Sequence, residues 1–341
     1  MKKKRILVTG AAGFIGFHLI KQLIYNYHEI VGLDNINDYY SQKLKFDRLS
    51  ELGIDKNNAK EFNIFVKSNK YKNFRFIRTN IECKHNLDKI FSERKFDIVC
   101  NLAAQAGVRY SLDNPNSYIK ANTVGFFNII DCCKQNKIDK LIYASSSSVY
   151  GNQNSIPFNE NDKIDKPLSI YAATKITNEL IAYTYSNLYK INTIGLRFFT
   201  VYGPWGRPDM AYFSFTESII KGREIKIYNK GNLERDFTYI DDIICGLIKI
   251  VENNIENENN HEIYNIGYGN PINLLEFVKS LEKELKKGAV KKFVGMQPGD
   301  VNKTYADTKK LELDFNFKPK VSFRQGIKKF VKWYKDYYDE K

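Results

Sequence analysis

The sequence predicts an α/β fold, a doubly wound parallel sheet followed by a smaller, mixed C-terminal domain. Three observations predict it. Short apolar runs alternate with helical patterns through the first 200 residues. The first run passes straight into Gly10-Ala-Ala-Gly13-Phe-Ile-Gly16, and the second ends on an acid, Asp34. After about Thr200 the rhythm breaks, with Gly and Pro clustered in Tyr202-Gly-Pro-Trp-Gly-Arg-Pro208.

The expected strands are Arg5–Thr9, Glu29–Asp34, Phe74–Arg78, Ile98–Ala103, Leu141–Ser145 and Thr193–Phe198. Several are near-continuous apolar runs, as strands covered on both faces require. Helical patterns fall between them at Phe14–Tyr25, Tyr118–Asn136 and Tyr171–Leu188. Tyr39–Lys72 is long, charged and rich in Lys and Asn; it reads as a surface helix and a variable loop with no chemistry assigned. Asn253–Asn260 is a polar stretch of low complexity and is expected to be a loop. The expected organisation is a dinucleotide-binding domain over residues 1–200, with returning segments from about 236–266, and a substrate domain over most of 201–341.

At 341 residues with 43% hydrophobic and 27% charged side chains, the composition is that of a folded globular protein. No apolar run approaches the roughly 20 residues a bilayer span needs. The basic start, Met1-Lys-Lys-Lys-Arg5, leads only into a short strand rather than a signal-peptide core. The five cysteines, Cys83, Cys100, Cys132, Cys133 and Cys245, show no C-x-x-C spacing. Neither a disulfide framework nor a metal site is expected, and the setting is expected to be cytoplasmic. The net charge of +14 raises the question of nucleic acid. The lysines are spread from end to end, however, so a solvated basic surface is the reading and no nucleic-acid partner is expected.

Glycine spacing of the Gly10–Gly16 kind tightens the turn and lets backbone N–H groups approach a pyrophosphate. A glycine triplet alone is weak; strand before and helix after give it the Rossmann context. Asp34 stands 18 residues beyond Gly16. A carboxylate there accepts hydrogen bonds from an adenosine ribose and repels a 2′-phosphate, which favours NAD over NADP. Further on, Asn101-Leu-Ala-Ala-Gln105 follows an apolar strand, and the small Ala103 and Ala104 leave room for a cofactor across the strand end.

Tyr171-Ala-Ala-Thr-Lys175 places a phenol and an ammonium one helical turn apart. Positive charge nearby favours phenolate, so Lys175 helps Tyr171 serve as a base. Following a glycine turn, an acid and Ser145-Ser-Ser-Ser148-Val-Tyr-Gly151, this pair takes on meaning that Y-x-x-x-K alone lacks.

With those motifs in order, the chain resembles the extended short-chain dehydrogenase/reductase family over nearly its whole length, and within it the UDP-glucuronate 4-epimerases. The residues that carry the resemblance are Leu102–Ser111, Tyr143–Gly151, Arg197–Met210 and Met296-Gln-Pro-Gly-Asp300. The resemblance implies Ser146 as the catalytic hydroxyl, Tyr171 as the base and Lys175 as the group that orients the cofactor ribose. It implies an NAD site formed by Gly10, Gly13, Phe14, Ile15, Gly16, Asp34, Asn80, Ile81, Ala103, Ala104, Gln105, Tyr171, Lys175 and Phe198. The implied reaction removes the sugar 4-OH proton and the C4 hydride, turns the 4-keto sugar, and returns the hydride to its opposite face.

Oxidation of UDP-glucuronate at C4 makes a β-keto acid, which loses carbon dioxide readily. An epimerase must hold that carboxylate without helping it leave. The resemblance places Ser147, Ser148, Thr200 and Arg207 near it, with Arg109 also on the substrate side, Arg235 at the diphosphate and Asp300 at the uridine ribose. Dehydratases and UDP-glucuronate decarboxylases carry an acid where Ser148 stands. The sequence departs from the family at Asn101, where His is usual, and at Asn80, where Asp is usual; Gln297 stands where the wider family often has Arg, as it does in other uronate epimerases. Two further readings stay open here: a 4-epimerase of neutral UDP-sugars, which usually carries Asn where Thr200 stands, and a non-catalytic NAD-binding regulator. The resemblance also implies a homodimer through the helices at Tyr118–Asn136 and Tyr171–Leu188.

Overall fold

The computed structural model describes residues 3–26, 28–153, 155–253, 260–297 and 299–339. Most of the Asn253–Asn260 stretch expected as a loop, and Pro298 of the Met296–Asp300 motif, lie outside them. The strands are β1 (Arg5–Thr9), β2 (Glu29–Asp34), β3 (Phe65–Lys67), β4 (Phe74–Arg78), β5 (Ile98–Asn101), β6 (Lys140–Ser146), β7 (Asn192–Phe198), β8 (Thr200–Tyr202), β9 (Glu224–Ile227), β10 (Glu234–Tyr239), β11 (His261–Ile266), β12 (Pro271–Asn273) and β13 (Val290–Phe293).

The chain divides into two compact units. The first holds residues 1–149, 169–197 and 247–264; the second holds 150–168, 198–246 and 265–341. The second unit resumes at Phe198 rather than after residue 200, and two larger differences from the expected division stand beside that. Tyr150–Leu168 belongs to the second unit, where the Tyr150 hydroxyl donates to Asn265 at 2.6 Å and the Phe158 N–H donates to the Tyr305 carbonyl at 2.7 Å. The returning segment in the first unit is Leu247–Tyr264, shorter than the expected 236–266.

The large sheet has the order β11-β7-β6-β5-β1-β2-β4-β3. β1 pairs in parallel with both β2 and β5, and β4 and β6 extend the parallel arrangement on either side. β3 is an antiparallel edge that the sequence pattern did not predict; three residues are too few to show a period. The inner strands are buried on both faces, which is why they read as unbroken apolar runs. One core layer packs Leu7, Leu33, Val99 and Leu141 with Phe126, Ile129 and Ala182 of the covering helices.

Chain order runs one way from β1 through β2 and the other way from β5, so the switch point lies between the ends of β1 and β5. That crevice is where an open α/β sheet binds its ligand. In the second unit, β12, β10 and β8 form a small mixed sheet against an aromatic core of Tyr202, Phe237, Phe277 and Phe323.

Candidate active site

The glycine turn is tight because nothing larger fits. A Cβ on Gly16 would lie 2.1 Å from the Gly10 carbonyl oxygen, and one on Gly10 would lie 2.9 Å from the Ala103 nitrogen. Gly10 also has φ +73, a conformation glycine adopts without steric cost. The helix Phe14–Tyr25 follows at once with Gly13 at its N-cap, so its free N–H groups point where a pyrophosphate would sit. Asp34 is nearly buried and accepts the Ala12 N–H at 3.0 Å and the Ile36 N–H at 2.8 Å. A carboxylate has about four acceptor positions, so capacity remains for ribose hydroxyls. These residues fit the NAD that the sequence implied.

Two supports of this site were missed from sequence. The helix Gln42–Glu51 is not the surface element expected of Tyr39–Lys72: it buries Leu44, Lys45, Phe46, Arg48 and Leu49. Arg48 is fully buried, and its Nη1 donates to the Ala12 carbonyl and to the Tyr40 hydroxyl, both at 2.7 Å. The spacing Leu44, Lys45, Arg48, Leu49, Leu52 puts two cations on an apolar stripe, a signal the sequence did contain. The second support is Asn122. The helical stretch expected at Tyr118–Asn136 is broken by π-helical turns over Ile119–Val124. From them the buried Asn122 accepts the Gln105 N–H at 2.8 Å and donates to the Gln105 carbonyl at 3.1 Å and to Thr174 at 3.0 Å. One side chain thus ties the cofactor loop to the Tyr171 helix. No local pattern marks it in a chain rich in Asn.

Of the departures, Asn101 has a clear local role. Asn101 accepts the Thr9 hydroxyl at 2.6 Å, and Thr9 in turn accepts the Ala103 N–H at 3.1 Å. Asn80 is exposed past the end of β4, beside buried Ile81, whose carbonyl accepts from Asn128 at 3.0 Å.

Ser146 closes β6, and Ser147 and Ser148 begin the short 3-10 turn after it. The Ser146 hydroxyl donates to Ser148 Oγ and accepts the Ser148 N–H, each at 3.2 Å. Tyr171 and Lys175 lie on the helix Ile170–Tyr189. Lys175 is buried, and its Nζ donates to the Ala144 carbonyl at 2.8 Å, two residues before Ser146. Burial pulls the Lys175 ammonium down to about 8, and the Glu179 carboxylate opposes that fall. Glu179 accepts from Ser145 at 2.5 Å and forms a buried bidentate pair with Arg197, at 3.0 and 2.8 Å. The Tyr171 ring meets Tyr118 edge to face at 6.0 Å.

In the second unit Phe198 is buried and Thr200 begins β8. Arg207 is forked onto Asp209, with Nε at 3.0 Å and Nη2 at 2.6 Å. Arg235 comes near Asp300, Nη2 to Oδ1 at 3.9 Å, and its Nη1 donates to the Glu234 and Asn302 carbonyls at 2.9 and 3.2 Å. Asp236 is buried and accepts the Tyr268, Gly269 and Ala306 N–H groups. Asp242 sits in the first turn of the helix Ile240–Glu252 and accepts the Val321 N–H at 2.8 Å. In the first unit, Arg109 is exposed just before the short helix Tyr110–Asp113. Among the described residues no group of three or more His, Cys, Asp or Glu could hold a metal ion, and no helix is long and apolar enough to cross a membrane.

Comparison with known proteins matches this architecture. Protein CapI of Staphylococcus aureus is 48% identical, over 98% of this chain and 99% of its own length. A probable UDP-glucuronate 4-epimerase of Rhizobium meliloti (strain 1021) is 41% identical, over 98% of each chain. The crystal structure of UDP-glucuronic acid 4-epimerase from Bacillus cereus, in complex with UDP-glucuronic acid and NAD, superposes with a TM-score of 0.87 at 33% identity, covering 98% of this chain and 100% of that one. Residues 6–267 match the model of one family, and the chain belongs to it: the NAD dependent epimerase/dehydratase family.

Proposed function

We propose that this protein interconverts UDP-glucuronate and UDP-galacturonate by epimerisation at C4. The observation that carries the reading is the pair Ser146–Ser148: a neutral hydroxyl stands beside the catalytic one where a dehydratase needs an acid. Tyr171 takes the 4-OH proton. Lys175 holds positive charge beside that phenol and fixes the helix to β6 through the Ala144 carbonyl. Ser146 hydrogen-bonds the 4-oxygen as its proton leaves. When bound, NAD supplies reversible uptake and return of the C4 hydride, so it is regenerated each cycle.

Ser147, Ser148 and Thr200 give the C6 carboxylate neutral donors, and Arg207 gives it one charged fork. Arg109 contributes on the substrate side. Arg235 meets the diphosphate, and Asp300 beside it accepts from the uridine ribose. Hydroxyl donors grip the carboxylate while leaving its electrons in place, which keeps the 4-keto stage from decarboxylating. The test is incubation with UDP-glucuronate followed by proton NMR, with UDP-glucose and UDP-N-acetylglucosamine in parallel. UDP-galacturonate without UDP-pentose is expected. UDP-pentose overturns the role of Ser148, and turnover of neutral sugars alone overturns those of Thr200 and Arg207.

We place a second copy of the chain on the face formed by the helices Gly125–Gln135 and Ile170–Tyr189 with the preceding π-helical turns. Ile119, Val124, Phe127, Leu180, Tyr183 and Leu188 are all exposed there, more apolar surface on one face than a monomer usually shows. Light scattering is expected to give a dimer, and Leu180→Glu a monomer; a monomeric native protein overturns the assignment. Cys83, Cys100, Cys132, Cys133 and Cys245 form no disulfide, which fits a reducing, cytoplasmic setting, where nucleotide sugars for polysaccharide are made.

A further inference from the structure

The loop that carries Arg207 is held in an unusual backbone conformation by aromatic side chains from far along the chain. Trp205 has φ +60, a left-handed region that is sterically costly for a bulky L-residue. Its indole packs against Trp333 at 5.4 Å and Tyr337 at 5.1 Å between centroids. Those two stand one turn apart on the helix Phe323–Tyr338 and stack on each other at 5.2 Å and 20°. Phe213 closes the cluster beneath, 6.2 Å from Trp333. On the other side of the loop, the Arg207 N–H donates to the buried Tyr212 hydroxyl at 3.2 Å. Gly206 lies so close that a Cβ there would be 2.1 Å from that oxygen.

We propose that Trp333 and Tyr337 are positioning residues for Arg207, and through it for recognition of an anionic sugar. The inference rests on the role given to Arg207 above. Three constraints meet on this arginine: Asp209 sets the plane of the guanidinium, Tyr212 anchors the backbone, and the Trp205 clamp sets the path of the loop. The first two are local to the loop and its following helix. The clamp reaches it from the C-terminal helix, over a sequence separation that no local motif spans, and Phe330 of the same helix packs behind Tyr212 at 4.9 Å between centroids. A left-handed tryptophan needs such a partner, because the packing of its indole offsets the strain.

The test compares kcat/KM for UDP-glucuronate in wild type, Trp333→Leu, Trp333→Phe, Tyr337→Leu, Arg207→Gln and the Trp333→Leu/Arg207→Gln double variant. UDP inhibition and bound NAD are read for each. Trp333→Leu and Tyr337→Leu are expected to lower kcat/KM by roughly ten- to a hundredfold, up to the scale of a group misplaced by about 1 Å. UDP inhibition and NAD content stay as in wild type, and Trp333→Phe recovers most of the loss. In the Arg207→Gln background Trp333→Leu costs nothing further, because residues acting through one group are not additive. The chain's two tryptophans are Trp205 and Trp333, so intrinsic emission reports this clamp alone and is expected to change on binding UDP-glucuronate but not UDP. Activity of both leucine variants equal to wild type, losses additive with Arg207→Gln, or weakened UDP binding each overturn the proposal. If wild type itself leaves UDP-glucuronate unchanged, the substrate reading fails and the clamp's role falls with it.

Discussion

The Nζ of Lys175 lies 5.8 Å from the centroid of the Tyr171 ring and is bonded to the Ala144 carbonyl. Its charge favours the phenolate, but burial pulls it down to about 8, so the charge is present below that pH and lost above it. The turnover number is therefore expected to fall on an alkaline limb near pH 8. Glu179 opposes the fall, so Glu179→Gln is expected to move the limb to lower pH. The same change leaves Arg197 buried against a neutral amide and costs about 3–5 kcal/mol of stability. A pH–rate profile of both proteins checks the first point and urea unfolding the second. A limb that stays in place separates Lys175 from the base.

Gly16→Ala is expected to abolish NAD retention. The new Cβ would sit 2.1 Å from the Gly10 carbonyl oxygen and 2.8 Å from its carbon, backbone atoms that no side-chain rotation can move aside. Forcing it in costs about 1–3 kcal/mol or more and moves the N–H groups at the helix start that are proposed to meet the pyrophosphate. NAD released on denaturation, per mole of protein, measures the effect. Full retention would mean that the turn has freedom the packing denies it.

Arg48→Met is expected to lower NAD retention without touching the cofactor site directly. Arg48 donates to the Ala12 carbonyl, and the Ala12 N–H is bound by Asp34, so the peptide groups on both sides of the Ala12 Cα are fixed. Loss of the donor leaves a buried carbonyl unsatisfied, at about 1–3 kcal/mol. Tyr40→Phe removes only the second partner of the guanidinium and is expected to have a smaller effect in the same direction. Equal NAD content in all three proteins would reduce Arg48 to a packing residue.

What was legible in the sequence follows from where information is local. The strands β1 and β2 stand at their expected limits because two-sided burial writes itself as consecutive apolar residues, and β4 does so on the alternation of buried Phe74 and Phe76 with half-buried Arg75. The glycine turn, Asp34, Tyr171 and Lys175 carry fixed spacings. Arg48 was lost because a charged residue on an apolar stripe was read as surface, although its spacing with Leu44 and Leu52 placed it inside. Asn122 was lost because its partners, Gln105 and Thr174, lie 17 and 52 residues away. Tyr150–Leu168 was put in the wrong unit for the same reason: Asn265 and Tyr305 decide its place.

Lys140 offers a test of buried charge outside the active site. It opens β6, is 2% exposed, and donates to the Ile250 and Asn253 carbonyls at 3.2 and 2.6 Å, capping the end of the helix Ile240–Glu252. Burial pulls it down to about 8, below the ordinary lysine value of about 10.4. Below pH 8 the folded and unfolded chains both carry the proton, and the full cost of burying the charge is present. Between about 8 and 10.4 the unfolded chain binds more protons than the folded one, so stability from this group rises with pH. Lys140→Met lacks the titration but leaves both carbonyls without their donor. The stability of wild type relative to the variant is therefore expected to rise by about 2 kcal/mol between pH 8 and pH 10, read by urea unfolding at each pH. A constant difference would show that the two carbonyls hold the ammonium charged in the fold, and that helix capping outweighs desolvation at this site.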